Sequence, residues 1–225
     1  MSATKIIVSY DGTANEEDAV ALGRVFAKAG AELILAYVRH GERGPDDPDA
    51  ETLLARGAEL LGDPNVVRKV VNDRSTPEGL RRLAEEESAS VIVFCSDSHT
   101  APGSISIGNS AQRLLDGGRF AIAIAPVGLA DHEAHIGRVV LVSDETDQAA
   151  RATAQRLSGA FGAELQEDPD GTDAHLLIVG SRPEAGEGQV ALSAAAINLI
   201  ENATAIVLVV PRAKSIDFDG MALSA

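Results

Sequence analysis

Aromatic residues make up only 3% of the 225-residue chain and tryptophan is absent, so any core must be aliphatic and stacking platforms for bases are not expected. Cys95 is the sole cysteine. One thiol excludes an intrachain disulfide, a thiolate zinc site and a Cys-x-x-Cys redox pair, which fits a reducing compartment. Positive charge is also scarce. Nineteen lysines and arginines stand against 34 aspartates and glutamates, a formal net charge of −15, the wrong sign for a nucleic-acid backbone or an anionic membrane. Long hydrophobic runs are missing: the longest, Ala203 to Val210, stops at Pro211, far short of the roughly 20 residues of a membrane helix. The start, Met1 to Val8, lacks the basic and apolar regions of an export signal. A soluble cytoplasmic protein is expected, and its 45% hydrophobic content is ample for a packed core.

The periodicity alternates between two kinds. Lys5 to Tyr10 is a β-branched run closed by Asp11-Gly12, and residues 16–28 place Ala19, Leu22, Gly23, Phe26 and Ala27 on one helical face. Glu32 to Val38 reads as a second strand, parallel to the first because a helix connects them. After a Gly-, Pro- and Asp-rich loop come a helix over 50–61, a strand over 66–71, and Ser75-Thr76-Pro77-Glu78, which has capping-box spacing and a proline at a helix start. Residues 89–95 are almost wholly apolar, as in a strand covered on both faces. A polar stretch to Gly108, a helix over 109–115 stopped by Gly117-Gly118, and a strand over 120–125 complete the pattern. It predicts an α/β fold with an open, doubly wound parallel five-stranded sheet over residues 1–130.

The end of the chain repeats the beginning. Ile6 to Asp11 matches Val139 to Asp144, 133 positions on (144 − 11). Gly30-Ala31-Glu32-Leu33 recurs as Gly162-Ala163-Glu164-Leu165, 132 positions on (162 − 30). Cys95-Ser96 aligns with Gly180-Ser181 and Pro126 with Pro211, each 85 positions on (180 − 95 and 211 − 126). Ordered matches with one consistent deletion indicate a truncated second copy over 136–212 that keeps the first, fourth and fifth strands and a remnant of the second. Residues 131–137 form the linker and 213–225 a tail. Phe120 to Ala125 and Ala205 to Val210, both apolar and both ending in proline, are expected to pair as the edges of an intrachain pseudo-dimer.

In such a sheet a ligand binds beyond the carboxyl ends of the strands where strand order reverses, which brings Asp11-Gly12-Thr13 near residues 95–108. The polar run Ser96 to Gly108 leads into a helix whose first amides suit phosphate oxygens, or it is an ordinary surface loop. The opening strand with Asp-Gly-Thr, Ala-Glu-Leu-Ile-Leu-Ala-Tyr-Val at 31–38, and Ile-Gly-Asn-Ser-Ala-Gln-Arg-Leu-Leu at 107–115 before Ala-Ile-Ala-Ile-Ala-Pro resemble the universal stress protein family. The likeness is to a tandem form whose second domain is degenerate. It implies a stress-response regulator that binds ATP or another adenine nucleotide, such as AMP, with Asp11 and the backbone of Val38 at the base. Gly12, Thr13, Ser96, Gly108, Asn109 and Ser110 would line the rest of the site. The family's nucleotide-binding members carry Gly, two residues, Gly, nine residues, Gly, then Ser or Thr. Aligning the last glycine with Gly108 puts Cys95 and Ser98 at the other two and Asn109 at the hydroxyl.

Structural readings stand beside these. Asp11 also suits a cap on the first helix or the Asp-Gly turn, Cys95 a small buried hydrophobe, and His99 a solvent-facing loop residue. Ser96, Asp97 and His99 are too contiguous for a triad assembled across a fold. His132-Glu133-Ala134-His135 falls one residue short of a zinc-protease motif, and no metal is expected. Glu85 to Glu87 reads as a solvated helix end. The alternative function is a nucleotide-independent interaction module with a decayed pocket. A hydrolase has the least support, since a P-loop lysine is missing.

Overall fold

The computed structural model describes residues 3–13, 15–41, 48–144 and 146–218. Part of the predicted acidic loop (42–47) and the last seven tail residues (219–225) lie outside them. Five strands and four helices alternate first: β1 Lys5–Ser9, α1 Glu16–Lys28, β2 Glu32–Arg39, α2 Pro48–Leu61, β3 Val67–Asn72, α3 Thr76–Glu87, β4 Val91–Cys95, α4 Asn109–Leu115 and β5 Ala121–Ala125. A 3₁₀ turn at Leu129–Asp131 leads into β6 Arg138–Val142, α5 Gln148–Phe161, β7 Glu164–Glu167, β8 Leu176–Gly180, α6 Ala194–Glu201 and β9 Ile206–Val210.

The expected α/β fold with a parallel-dominated sheet is present, but the sheet has nine strands, not five, in the order β3-β2-β1-β4-β5-β9-β8-β6-β7. The larger number has a direct cause: β5 is not an edge. It pairs antiparallel with β9, Ile122 opposite Val209, Ala123 opposite Leu208 and Ile124 opposite Val207. The other neighbouring pairs are all parallel. Parallel strands need both faces covered, and alternation supplies both. Ile6, Val8, Ala121, Ala123, Leu176, Ile178, Ile206 and Leu208 pack into one core with α1, α2 and α5. Ile7, Ile122, Ile124, Leu177, Val179, Val207 and Val209 pack into the other with α3, α4 and α6. Each core runs without a break beneath both halves of the sheet.

Local signals held in outline and differed in detail. The acidic first turn of α1, Glu16, Glu17 and Asp18, suits the positive end of the helix dipole. The capping box before α3 does not form: Ser75 makes no side-chain cap and its hydroxyl has no partner. Asp73 accepts the Ser75 amide at 3.1 Å, while Glu78 is drawn to Arg81 at 2.8 Å. Gly117-Gly118 does stop α4. A Cβ at Gly118 would overlap the Leu114 carbonyl, and the pair exchanges backbone bonds with the second half, Gly117 N to Val190 O at 3.1 Å and Val190 N to Gly118 O at 2.8 Å. At the sheet's outer edges charges sit among the strand residues, Arg68 and Lys69 on β3 and Glu164 and Glu167 on β7; such edges resist further pairing. Among the described residues no helix is long and apolar enough to cross a membrane.

Leu208 is fully buried opposite Ala123 at the β5–β9 seam. Leu208→Ala should cost about 3 kcal/mol. Because the cores are shared, urea transitions followed by probes in either half should keep a common midpoint in the variant as in the parent chain; separate midpoints would contradict a cooperative seam.

Candidate functional site

Strand order reverses between β1 and β4, and a cleft of about 330 Å³ opens at their carboxyl ends. Six of the eight sequence-predicted residues line it: Asp11, Thr13, Ser96, Gly108, Asn109 and Ser110. Gly12 and Val38 do not. Gly12 adopts φ +80 with the space beside its Cα filled by Leu53. Val38 is buried in the core on the α3 side, where Gly79 approaches its methyl groups.

The turn after β1 is organised by a residue that the sequence reading placed only at the start of the first helix. Glu16 is 6% exposed, and its Oε2 accepts the amides of both Asp11 and Gly12, the latter at 2.7 Å. Asp11 accepts the Thr13 amide at 3.0 Å, so it shapes the turn and does not cap α1, whose N-cap is Asn15. Asn15 instead donates to the carbonyls of Asp97 at 2.9 Å and Ser96 at 3.3 Å, tying β1 to β4. Burial, helped by the neighbouring Asp11 charge, pushes the Glu16 carboxyl up to about 8 even though the two amide bonds pull the other way. The same surroundings act on Cys95. Enclosure first, then Glu16, Asp11 and Asp18, push its thiol up to about 12, so it is an inert half-buried group.

Ser96 is 1% exposed and its hydroxyl is already engaged. It donates to Ala125 O at 2.8 Å and accepts from Ser106 N at 3.2 Å, clamping the long loop to β5. The second half repeats the arrangement: Ser181 donates to Val210 O at 2.9 Å and accepts from Ala191 N at 3.4 Å. At the start of α4, Gly108 has an ordinary extended backbone, so its lack of a side chain matters for space. A Cβ there would stand 2.8 Å from Asp97 Oδ1. The Asp97 carboxylate thus stands beside Gly108 at the start of α4, although it caps none of that helix's amides. Neither carboxylate was assigned to the site from sequence, although Glu16, five positions after Asp11, has the reach to fold back on an Asp-Gly turn. Among the described lining residues none is cationic.

The remaining sequence candidates do not converge. Glu133 of the histidine-containing linker pairs with Lys28 at 2.8 Å, and among the described residues no group of three or more His, Cys, Asp or Glu is placed to hold a metal ion.

No family model matches the sequence, and no curated protein matches it either. Solved structures do. A universal stress protein from Archaeoglobus fulgidus DSM 4304 is similar over 94% of this chain and 100% of its own, with TM-score 0.69 and 15% identity. A functionally unknown protein from Pseudomonas aeruginosa PAO1 is similar over 94% of both chains, with TM-score 0.68 and 12% identity. The fold is that of the universal stress proteins. In the universal-stress-protein fold seen here the β1–β4 crevice is present, and carboxylates line it.

Two measurements check the electrostatics. From the ordinary glutamate range up to about pH 8 the folded chain holds a proton on Glu16 that the unfolded chain releases. Stability should therefore be highest below that window, fall as pH rises through it and level off above, by on the order of a few kcal/mol. Glu16→Gln should flatten that slope in urea titrations between pH 5 and 9. A disulfide reagent at pH 8 should label Cys95 only under denaturing conditions, and rapid labelling of the native chain would refute the raised thiol pKa.

Proposed function

We propose that this chain is a cytoplasmic stress-response regulator of the universal-stress-protein kind that works through protein contacts and holds no nucleotide phosphates in its first-half cleft. The observation that carries this reading is the placement of Glu16 on the Asp11 and Gly12 amides and of Asp97 against Gly108. Glu16 occupies two amides that an anionic ligand would need, and Asp97 places its carboxylate beside the start of α4. A phosphate entering beside Asp97 meets like charge at a few ångströms, which costs about 1 kcal/mol or more per charge pair at a wet surface. Cys95 and Ser98, standing where nucleotide-binding members of the family have glycines, further restrict close backbone approach.

The second half is read as a truncated, degenerate copy, 136–212, of the unit 1–130, with 213–225 as a tail. Support comes from bonds that recur 85 positions apart. Besides the paired serine clamps, Gly103 N to Val127 O at 2.8 Å corresponds to Gly188 N to Arg212 O at 2.6 Å, and Val127 N to Ser104 O at 3.1 Å to Arg212 N to Gln189 O at 2.9 Å. On this reading β5 and β9 are the mated edges of an intrachain pseudo-dimer, and the surface such proteins would use for self-association is occupied internally.

One observation favours a second reading, adenine-nucleotide binding: Asp11, Thr13, Ser96, Gly108, Asn109 and Ser110 converge on a single cleft. ATP or AMP is the ligand class, with Gly12 and the Val38 backbone behind the base side. Calorimetry with ATP and AMP, alongside chromatography of the denatured supernatant of purified protein, separates the two. The first reading expects no carried nucleotide and no measurable heat for the parent chain, with ATP affinity gained on Asp97→Asn. Micromolar binding by the parent chain that Gly108→Leu abolishes without unfolding would establish the second reading instead.

A further inference from the structure

A histidine follows β2 directly and a threonine opens α3, and the parallel pairing of β2 with β3 brings both to the carboxyl rim of the sheet. There the two side chains meet. His40 Nε2 lies 3.0 Å from Thr76 Oγ1, and His40 Nδ1 lies 2.9 Å from the Asp73 carbonyl oxygen. A carbonyl can only accept, so Nδ1 carries the hydrogen, and in the neutral ring Nε2 is left bare to accept the threonine hydroxyl. The orienting carbonyl is itself held. Asp73 donates its amide to Arg39 O at 3.1 Å, accepts the Ser75 amide on Oδ1 at 3.1 Å and pairs with Arg82 through Oδ2 at 2.7 Å. A hydroxyl, a base within hydrogen-bond reach and a fixed group that orients the base are the parts of an activated nucleophile.

Thr76 also lines the β1–β4 cleft, with Asp11, Thr13, Asp97 and Gly108. Other nucleophiles there are engaged or inert: Ser96 is committed to Ala125 O, and burial pushes the Cys95 thiol up to about 12. His40 is exposed and is not one of the residues that line the cleft. It therefore stands behind the hydroxyl, where it passes a proton to solvent and not into the cleft. Two consequences follow for the chemistry. A leaving group in the cleft receives no proton from the base, so it must depart as a stable anion, such as a thiolate or phenolate. An acyl group carried by Thr76 would in turn be retained, because the base is not placed to activate a water on its cleft side. The donor itself is uncharged, since Asp11 and Asp97 face it and no lining residue is cationic. The position of Thr76 in the first turn of α3 sets the oxyanion of the addition step near the positive end of a helix dipole.

We propose that Thr76 is an acylation site, with His40 as its general base, and that it takes its acyl group from an uncharged thioester or aryl ester held in the β1–β4 cleft. Thr76 Oγ1 attacks the acyl carbon as its proton passes to His40 Nε2. The bond from that carbon to sulfur or to the aryl oxygen then breaks, the thiolate or phenolate leaves with the electron pair, and His40 returns its proton to solvent. One ester bond is formed for each donor consumed. The inference goes beyond the function proposed above, since neither a nucleotide nor a protein contact enters it.

p-Nitrophenyl acetate is the probe, with the acetylated chain mapped by peptide mass spectrometry. The parent chain should gain an acetyl group on Thr76 with release of about one equivalent of nitrophenolate. Thr76→Val should lose that equivalent, and Thr76→Ser should keep it. His40→Gln retains a side-chain amide able to bond the hydroxyl but removes the base, so labelling of Thr76 should slow by about a hundredfold. Labelling of Thr76 at the parent rate in folded His40→Gln would mean that the bond is only structural, and the proposal would fall. Thr13 serves as a control within the parent chain, so the test survives a variant that does not fold: it lines the same cleft and has the Asp11 carboxylate beside its amide in place of a histidine. Labelling of Thr13 as fast as Thr76, or acetyl groups on lysines alone, would overturn the assignment. Continuous release of nitrophenolate that depends on Thr76 would overturn retention of the acyl group.

Discussion

The antiparallel contact between β5 and β9 is the constraint on which the rest of the structure depends. Take it away and two parallel sheets remain, each ending in a strand with alternating alanine, valine, isoleucine and leucine along an open hydrogen-bonding edge, the kind of edge that draws in other chains. With it in place, the strands left at the outside carry charge. The register also matches side chains by size. Ala123 faces Leu208 on one surface, while Ile122 and Ile124 face Val209 and Val207 on the other, so each core crosses the seam at even thickness. The loops behind α4 and before α6 extend the join beyond the strands through the mutual backbone bonds of Gly117, Gly118 and Val190.

At the β1–β4 crevice the same fold that can present amides to an anion has two of them answered from within. Buried or crowded donors need acceptors, and Glu16 supplies one for Asp11 and Gly12 from the chain itself. A side chain held this way costs no translational entropy, whereas a free ligand must overcome that loss and also displace the resident group. The Ser96 clamp works in the same direction, since a hydroxyl committed to Ala125 and Ser106 holds the loop in place without a ligand. The turn after β1 and the long loop are therefore held without a ligand, and Glu16, its carboxyl pushed up to about 8 by burial and the Asp11 charge, changes charge near neutral pH.

Much of the fold was legible in the sequence because strong periodicity and turn residues act locally. The apolar runs at 91–95, 121–125 and 206–210, the amphipathic face of α1 and the stop at Gly117-Gly118 all follow from interactions within a few residues. What the sequence left open was decided by competition between partners. Ser75 and Glu78 have the spacing of a capping box, yet Asp73 and Arg81 offered closer partners. Glu16 reads as one of three acids in a helix's first turn, and only the fold back over Asp11-Gly12 distinguishes it from Glu17 beside it. The candidate site was legible as a location, through the switch point and six residues that do meet there, but its electrostatics were not, because Asp97 reads as one more polar residue in a loop until its carboxylate is placed against Gly108.

The tail marks the limit of periodicity most clearly. Ile216 and Phe218 are two apolar residues in an otherwise polar stretch, too few to define a helix or strand face, and their burial is decided by Phe26 and Thr153, which lie more than sixty positions away on elements of different halves. Helices α1 and α5 flank the seam on that face, and the strand pair beneath them is covered on that side by the connection from β5 to β6, with Leu129 and Ile136 buried, and by residues after β9, with Ile216 and Phe218 buried. Asp18 on α1 fixes the first cover by accepting the amides of Gly128 at 2.9 Å and Ala130 at 2.8 Å. Thr153 and Arg156 on α5 fix the second, through the Ile216 amide and the Asp217 carboxylate. Each helix therefore holds one of the covers, and the core beneath the seam is closed by both halves together.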